Sequence, residues 1–257
     1  MQNRKAIMLS LGMLLEKVDA NIFMMKMRAK AKEENTEFEF TPPILGQAFI
    51  WSEQFNQKKL AKDDYKTKIQ NLLDITKMSD EEFWKNWNSM VVVGDITARV
   101  NELREFCSEN NALVYLDSDT NEVHAAAIMQ DAKARGIPFY KTDSTPALFF
   151  LEEFPIYTTC EFGKNRSDLT KFTVSEIRNK EFNKPNEIVR VLGNPDNIKN
   201  PNMQALARKE CDALTAWCKE NDVTVKLHNN TNTLKETLAL IAVKSNVEVQ
   251  EPAKLAI

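Results

Sequence analysis

Short apolar runs separated by amphipathic segments recur along most of the chain, and this alternation restricts the fold more than any other feature. Residues 5–15 are apolar with only small interruptions, the pattern of a central strand buried on both faces. Residues 113–116 and 188–192 are shorter runs of the same kind, 155–162 is β-rich, and 223–227 alternates as a strand does. Between them a helical period returns. Residues 96–110 place Val100, Leu103, Phe106 and Cys107 on one face, 121–135 runs up to Gly136, and 203–220 forms a long helix. Strands alternating with helices predict an α/β fold with a parallel, doubly wound sheet.

One block breaks the alternation. Between residues 18 and 87 every pattern is helical: Ile44, Ala48, Trp51 and Phe55 repeat at three to four, as do Tyr65, Ile69, Leu72 and Leu73. Ser79 predicts a helix start, with Glu82 placed to reciprocate three residues later, and Phe83, Trp84 and Trp87 follow as an aromatic face. The expected organisation is an α/β core of residues 1–17 and 92–245, a helical cap insertion of 18–91 over the first strand's end, and a polar tail of 246–257.

Composition narrows the function classes. Hydrophobic residues make up 43% of the 257 and charged residues 28%, enough for a sizeable core on a soluble chain. A net charge of −3 carries no general signature for nucleic acid. The local basic cluster Lys26, Arg28, Lys30 and Lys32 runs straight into Glu33 and Glu34, the pattern of a solvated helix face. Cys107, Cys160, Cys211 and Cys218 form no CxxC pair and read as reduced thiols of a cytoplasmic protein. Two histidines are too few for a histidine-rich metal site. The N-terminal apolar run has a positive start, but Glu16, Lys17 and Asp19 end it early, with no small-residue cleavage site. No stretch reaches the roughly 18 apolar residues of a membrane span.

Three segments, in order, resemble the haloacid dehalogenase (HAD)-type hydrolases, in the branch with a helical cap after the first strand. AIMLSLGMLL (residues 6–15) resembles that family's first-strand motif hhFDLGGVL. EEFWKNWNSM (81–90), followed by a helix and VYLDSDTNEVH (114–124), resembles its cap-closing segment and the strand ending in hLLSNTNxxH. IYTTCEFGKNR (156–166) resembles hxxSYExGxxK. The resemblance covers residues 5–230 and implies a Rossmann-like parallel sheet with a cap. It also implies a first-strand aspartate attacking phosphorus, a phosphoryl-binding serine, a lysine, and aspartates holding magnesium after the fourth strand.

Carried over position by position, the resemblance puts Ser10 at the nucleophile, Ser118 at the phosphoryl-binding serine, and Lys164 or Arg166, depending on a gap, at the lysine. Gly12 matches a glycine of the branch. The fourth motif reads VRVLGN, so Gly193 and Asn194 replace both acids, with Asp196 two residues late. A neutral hydroxyl and an amide cannot replace those carboxylates. The expectation is therefore a degenerate, non-catalytic member with no cofactor and no magnesium, in which Ser118 with Lys164 or Arg166 still holds a small anion.

Other constellations have plainer roles. Asp117-Ser118-Asp119 is the densest acidic cluster at the expected pocket rim and reads as turn and helix-cap chemistry rather than a metal site. His124 reads as a packing or hydrogen-bonding residue. No G-x-S-x-G elbow surrounds Ser10 to support a triad with His124, and six glycines form no phosphate loop. Residues 229–232 read as a polar turn. Phe23, Met24, Met25 and Met27, with Phe38 and Phe40, read either as cap packing or as an adaptable partner-binding patch centred on Phe23 and Met27. The leading expectation is a protein-interaction or structural subunit of a larger, bacterial complex. The alternative is a divergent phosphatase or phosphate-ligand sensor, and the third a secreted effector.

Overall fold

The computed structural model of the protein describes residues 4–34, 41–179, 185–198, 201–229 and 233–242. Its first strand, β1 (Lys5–Ser10), ends earlier than the apolar run. Leu11–Leu14 curl into a 3-10 turn whose Leu11 and Leu14 are buried, so the sequence stays apolar after the strand has stopped. The short β2 (Lys17–Val18) then pairs antiparallel with β3 (Val91–Val92), forming a neck through which the chain leaves and re-enters the core. Gly94, at φ +64°, closes this neck: a Cβ there would stand 2.4 Å from Glu16 Cβ, so only glycine permits the crossing.

Four helices lie between the two halves of the neck: α1 (Ala20–Glu33), α2 (Pro42–Asn56), α3 (Lys62–Leu72) and α4 (Asp80–Asn88). They share their own apolar cluster, in which Phe23, Met27, Phe55, Tyr65, Ile69, Phe83, Trp84 and Trp87 are buried. Ser79 caps α4 by accepting from Glu82 N at 3.2 Å. The Glu82 carboxylate reaches Lys30 of α1 at 3.2 Å, tying two cap helices together where a reciprocal cap was expected.

The core continues with α5 (Ile96–Asn110), β4 (Ala112–Ser118), α6 (Glu122–Ala134), β5 (Phe139–Lys141), β6 (Phe149–Leu151), β7 (Phe154–Thr158), α7 (Thr159–Phe162), α8 (Arg166–Asn179), β8 (Glu187–Gly193), α9 (Pro201–Glu220), β9 (Val223–His228) and α10 (Leu234–Ala242). The seven-stranded sheet has the order β5-β6-β7-β4-β1-β8-β9. The run β7-β4-β1-β8-β9 is parallel, while β5 and β6 extend it antiparallel. These two strands, three residues each, were too short to stand out in the sequence. The β-rich run 155–162 is divided because Thr158 Oγ1 accepts from Glu161 N at 3.3 Å and starts α7.

Alternation along each strand feeds two cores. Ile7, Leu9, Val114, Leu116, Val189 and Val191 pack with α5, α6 and α10. Ala6, Met8, Tyr115, Tyr157 and Ile188 pack with α8 and α9 on the other face. The fold is an α/β parallel sheet flanked by helices, with an inserted helical cap. All four cysteines are free thiols. No helix among the described residues is long and apolar enough to cross a membrane.

Candidate functional site

Open α/β sheets bind ligands outside the carboxyl ends of their parallel strands. Here Ser10 ends β1, Ser118 ends β4 and Gly193 ends β8. A cleft of about 740 Å³ opens beside these ends, with Ser10, Gly12, Arg99, Arg166, Gly193 and His228 on its walls together with the carboxylates Glu16, Asp95 and Glu102. Arg99 is occupied by the main chain, its Nη1 donating to the carbonyls of Met13 and Leu15. Arg166, at the start of α8, pairs with no carboxylate among the described residues. His228 Nδ1 lies 2.7 Å from Thr237 Oγ1, and burial holds this imidazole below its usual range. Lys164, the other candidate for the family's lysine, sits with Nζ 5.5 Å over the Phe172 ring and is not on the cleft wall.

The resemblance implies that Ser10 and Ser118 share one site beneath the cap, and the structure corrects this. Ser10 stands in register with Asp117, so Ser118 lies one residue beyond, on the opposite side of the pleat. The cap docks over the ends of β4 and β7. Asn56 Nδ2 of α2 donates to Asp119 Oδ1 at 3.3 Å, Asn121 Nδ2 donates to Asn56 Oδ1 at 3.1 Å, and Lys58 meets Glu161 at 3.3 Å. Ser118 is buried there. Among the described residues only Val18 of the segment 18–91 reaches the Ser10 cleft. At the cap junction Glu53 is pushed up to about 8 by burial, with Asp119 and Glu210 adding to the effect.

The interaction surface expected at Phe23 and Met27 is also corrected. Both are buried, because Phe23, Met27 and Ala31 recur every four residues and turn one face of α1 inward. Met25, on the other face, is 72% exposed. Phe38 and Phe40 lie outside the described residues, as do residues 230–232 of the expected polar turn and the tail.

Asp117-Ser118-Asp119 divides into separate roles. Asp119 Oδ1 accepts from Thr159 Oγ1 at 3.1 Å as well as from Asn56. The α6 cap is Asn121, whose Oδ1 accepts from Val123 N and His124 N at 3.1 and 3.0 Å. Asp117 turns to Arg190, with 2.6 Å between Oδ2 and Nη2. Arg190 is 0% exposed and Asp117 3%, and Arg190 Nη1 also donates to Met8 O at 3.3 Å. The pair is an ionic contact rather than an aligned hydrogen bond, and Arg190 Nε has no partner among the described residues. Burial holds the guanidinium below its ordinary range and Asp117 opposes that shift. The sequence reading missed this pair. Its signal was a single charge set inside each of two otherwise apolar strands that flank β1.

His124 does not line the cleft, so no triad with Ser10 forms. Its ring stacks on Trp87 with centroids 5.1 Å apart, Nε2 lies 3.3 Å from Trp87 O, and burial pulls its pKa down to about 4. The folded state thus favours neutral imidazole. The stability this gives is complete above about pH 6.5 and is lost as pH falls toward 4, by about 3 kcal/mol if the unfolded value is ordinary. In His124→Gln that part of the acid-side decline in Tm is expected to vanish. An unchanged pH profile would count against the assignment.

No family model and no curated protein matches the chain. Solved structures do. A HAD family enzyme from Bacteroides thetaiotaomicron superimposes with a TM-score of 0.53 at 16% identity, over 90% of this chain and 96% of that one. Its magnesium complex matches at 0.52 and 14% identity, over 90% and 96% of the two chains. An aspartate-to-alanine mutant of it, crystallised with magnesium and inorganic phosphate, matches at 0.52 and 16%, over 90% and 95%. The fold is therefore HAD-like.

The expectation that magnesium has no place here rested on missing acids, and it is corrected: these similar structures hold magnesium, so the fold is one that carries the ion. The donors at the corresponding strand ends of this chain do not match a carboxylate set, which magnesium favours. Asn194 Nδ2 donates to Asn229 Oδ1 at 2.9 Å and its Oδ1 accepts from Asp196 N at 3.0 Å, while Asp196 pairs with Arg208 and Asp117 with Arg190. Among the described residues no three His, Cys, Asp or Glu side chains gather where an ion could sit.

Proposed function

We propose that this is a divergent HAD-like protein whose cleft binds the phosphoryl or similar anionic group of a small molecule. The supporting observation is the convergence of Ser10, Arg166 and Gly193, from three separate elements, on one cleft. Arg166 brings a guanidinium, with its forked donors for a tetrahedral anion, and forms no ion pair among the described residues. Ser10 offers a hydroxyl that donates to an anionic oxygen where a carboxylate would repel it. Phosphate in the B. thetaiotaomicron complexes is consistent with this use of the fold. The reading includes the core of 1–17 and 92–245 and the cap of 18–91 as its units, and a degenerate version of the family's catalytic set. The interaction-subunit alternative loses its surface, because Phe23 and Met27 lie inside the cap.

Inorganic phosphate is the first probe. Saturable binding by calorimetry is expected in the wild type. Arg166→Met is expected to weaken it about tenfold or more, the loss of a charge-assisted contact. Ser118→Ala, altered beneath the cap, is expected to bind as the wild type does. Loss in Ser118→Ala with Arg166→Met unaffected would move the site to the other side of the pleat.

A further inference from the structure

The residue that fits a buried sheet least is Arg190. Its Cα stands in register with Met8, yet its guanidinium contacts Asp117, whose Cα stands in register with Ser10. The side chain therefore runs along and across β1 on one face of the sheet and delivers its charge at the level of Ser10. Alternation puts Ser10, Asp117 and Arg190 on that same face. Arg166 is close enough to act on the Arg190 guanidinium electrostatically, and it lines the cleft together with Ser10. Asp117 answers one of these two charges.

A buried ion pair is a poor device for stability, since apolar residues of similar volume commonly do as well or better. Two further facts point outward, toward a ligand. The fully buried Arg190 keeps Nε without a hydrogen-bond partner, and Nη2 is close to Asp117 without being aligned to it. On the sheet side two guanidinium groups and one carboxylate stand beside a hydroxyl that opens on the cleft, while the neck and α5 add Glu16, Asp95 and Glu102 to its walls.

We infer that Arg190 is a positioning residue of the anion site: held by Asp117 across the end of β1, it supplies a second positive charge beneath Ser10 and sets how strongly the cleft attracts an anion. This rests on the anion-binding reading. Arg190 acts at a distance through the field at Ser10 and Arg166, and Asp117 attenuates it.

Phosphate titration of four proteins tests the inference. The double variant Asp117→Leu, Arg190→Met removes the pair without leaving a lone charge; it is expected to fold and to bind phosphate about tenfold more weakly than the wild type. Arg190→Lys keeps the charge and should recover most of that loss. Asp117→Asn leaves Arg190 without its carboxylate and is expected to lower the urea midpoint, yet its folded form is expected to bind about threefold more tightly or better, a gain that damage to the fold cannot imitate. Wild-type affinity in both the double variant and Asp117→Asn overturns the role of Arg190 while leaving the cleft intact. Should the double variant not fold, Asp117→Asn alone decides: unchanged or weaker binding overturns the inference. Absence of saturable binding to the wild type overturns the anion-site reading and this inference with it.

Discussion

Arg190→Met alone is expected to destabilise the protein by about 3–5 kcal/mol, because it strands the Asp117 carboxylate in the sheet without a counter-charge. Asp117 is 3% exposed and has Tyr115 and Met8 of the same core around its strand positions, so water cannot replace the guanidinium. For a domain whose whole stability is about 5–15 kcal/mol, that is a shift from folded to partly unfolded at ordinary temperatures. Asp117→Leu combined with Arg190→Met should recover most of it, and the recovery distinguishes an uncompensated charge from a packing defect. Urea midpoints of the single and double variants measure the difference. A single variant within about 1 kcal/mol of the wild type would show that Asp117 finds another way to neutralise itself.

The second large effect lies in the cap. Phe83 is fully buried and meets Phe23, Tyr65 and Trp84 edge-on, with centroids 5.9, 6.5 and 5.0 Å away. Phe83→Ala empties the centre of that aromatic cluster and is expected to destabilise by about 3–5 kcal/mol. Met25→Ala, on the exposed face of α1, should stay within about 0.5 kcal/mol. Trp51, Trp84 and Trp87 are in the cap and only Trp217 is in the core, so tryptophan fluorescence reports mainly on the cap. Equal effects in the two variants would mean that α1 is oriented differently from the structure described.

The order of core strands and helices was readable because each parallel strand is a continuous apolar run, buried on both faces, and each helix keeps its period. Helix α5 was legible to its end residues. What the runs could not convey was where a strand stops when the next turn is also buried, as at Leu11 and Leu14. Nor could they convey β5 and β6, which are too short to establish a period. In α1 the residues Phe23, Met24, Met25 and Met27 looked like one patch. Only the spacing of Phe23, Met27 and Ala31 says that Met25 points the other way. The site was legible as positions along the chain, and Ser10, Arg166 and Gly193 do meet. The placement of Ser118 depends on register, a property of two strands together that neither strand carries alone. Asp117 and Arg190 were visible only as charges out of place, since nothing in either strand names the other as its partner.

The position of the cap has a kinetic consequence. Because α2 rests on the β4 and β7 ends, and the Ser10 cleft lies to one side, a ligand can enter and leave without any part of the aromatic cluster coming apart. Exchange at such a mouth is governed by diffusion and by the charge around it, so association rates should fall as salt is added while remaining insensitive to changes within the cap. Loosening the cap would leave the residence time of the ligand unaltered. Altering the electrostatics at the strand ends would not.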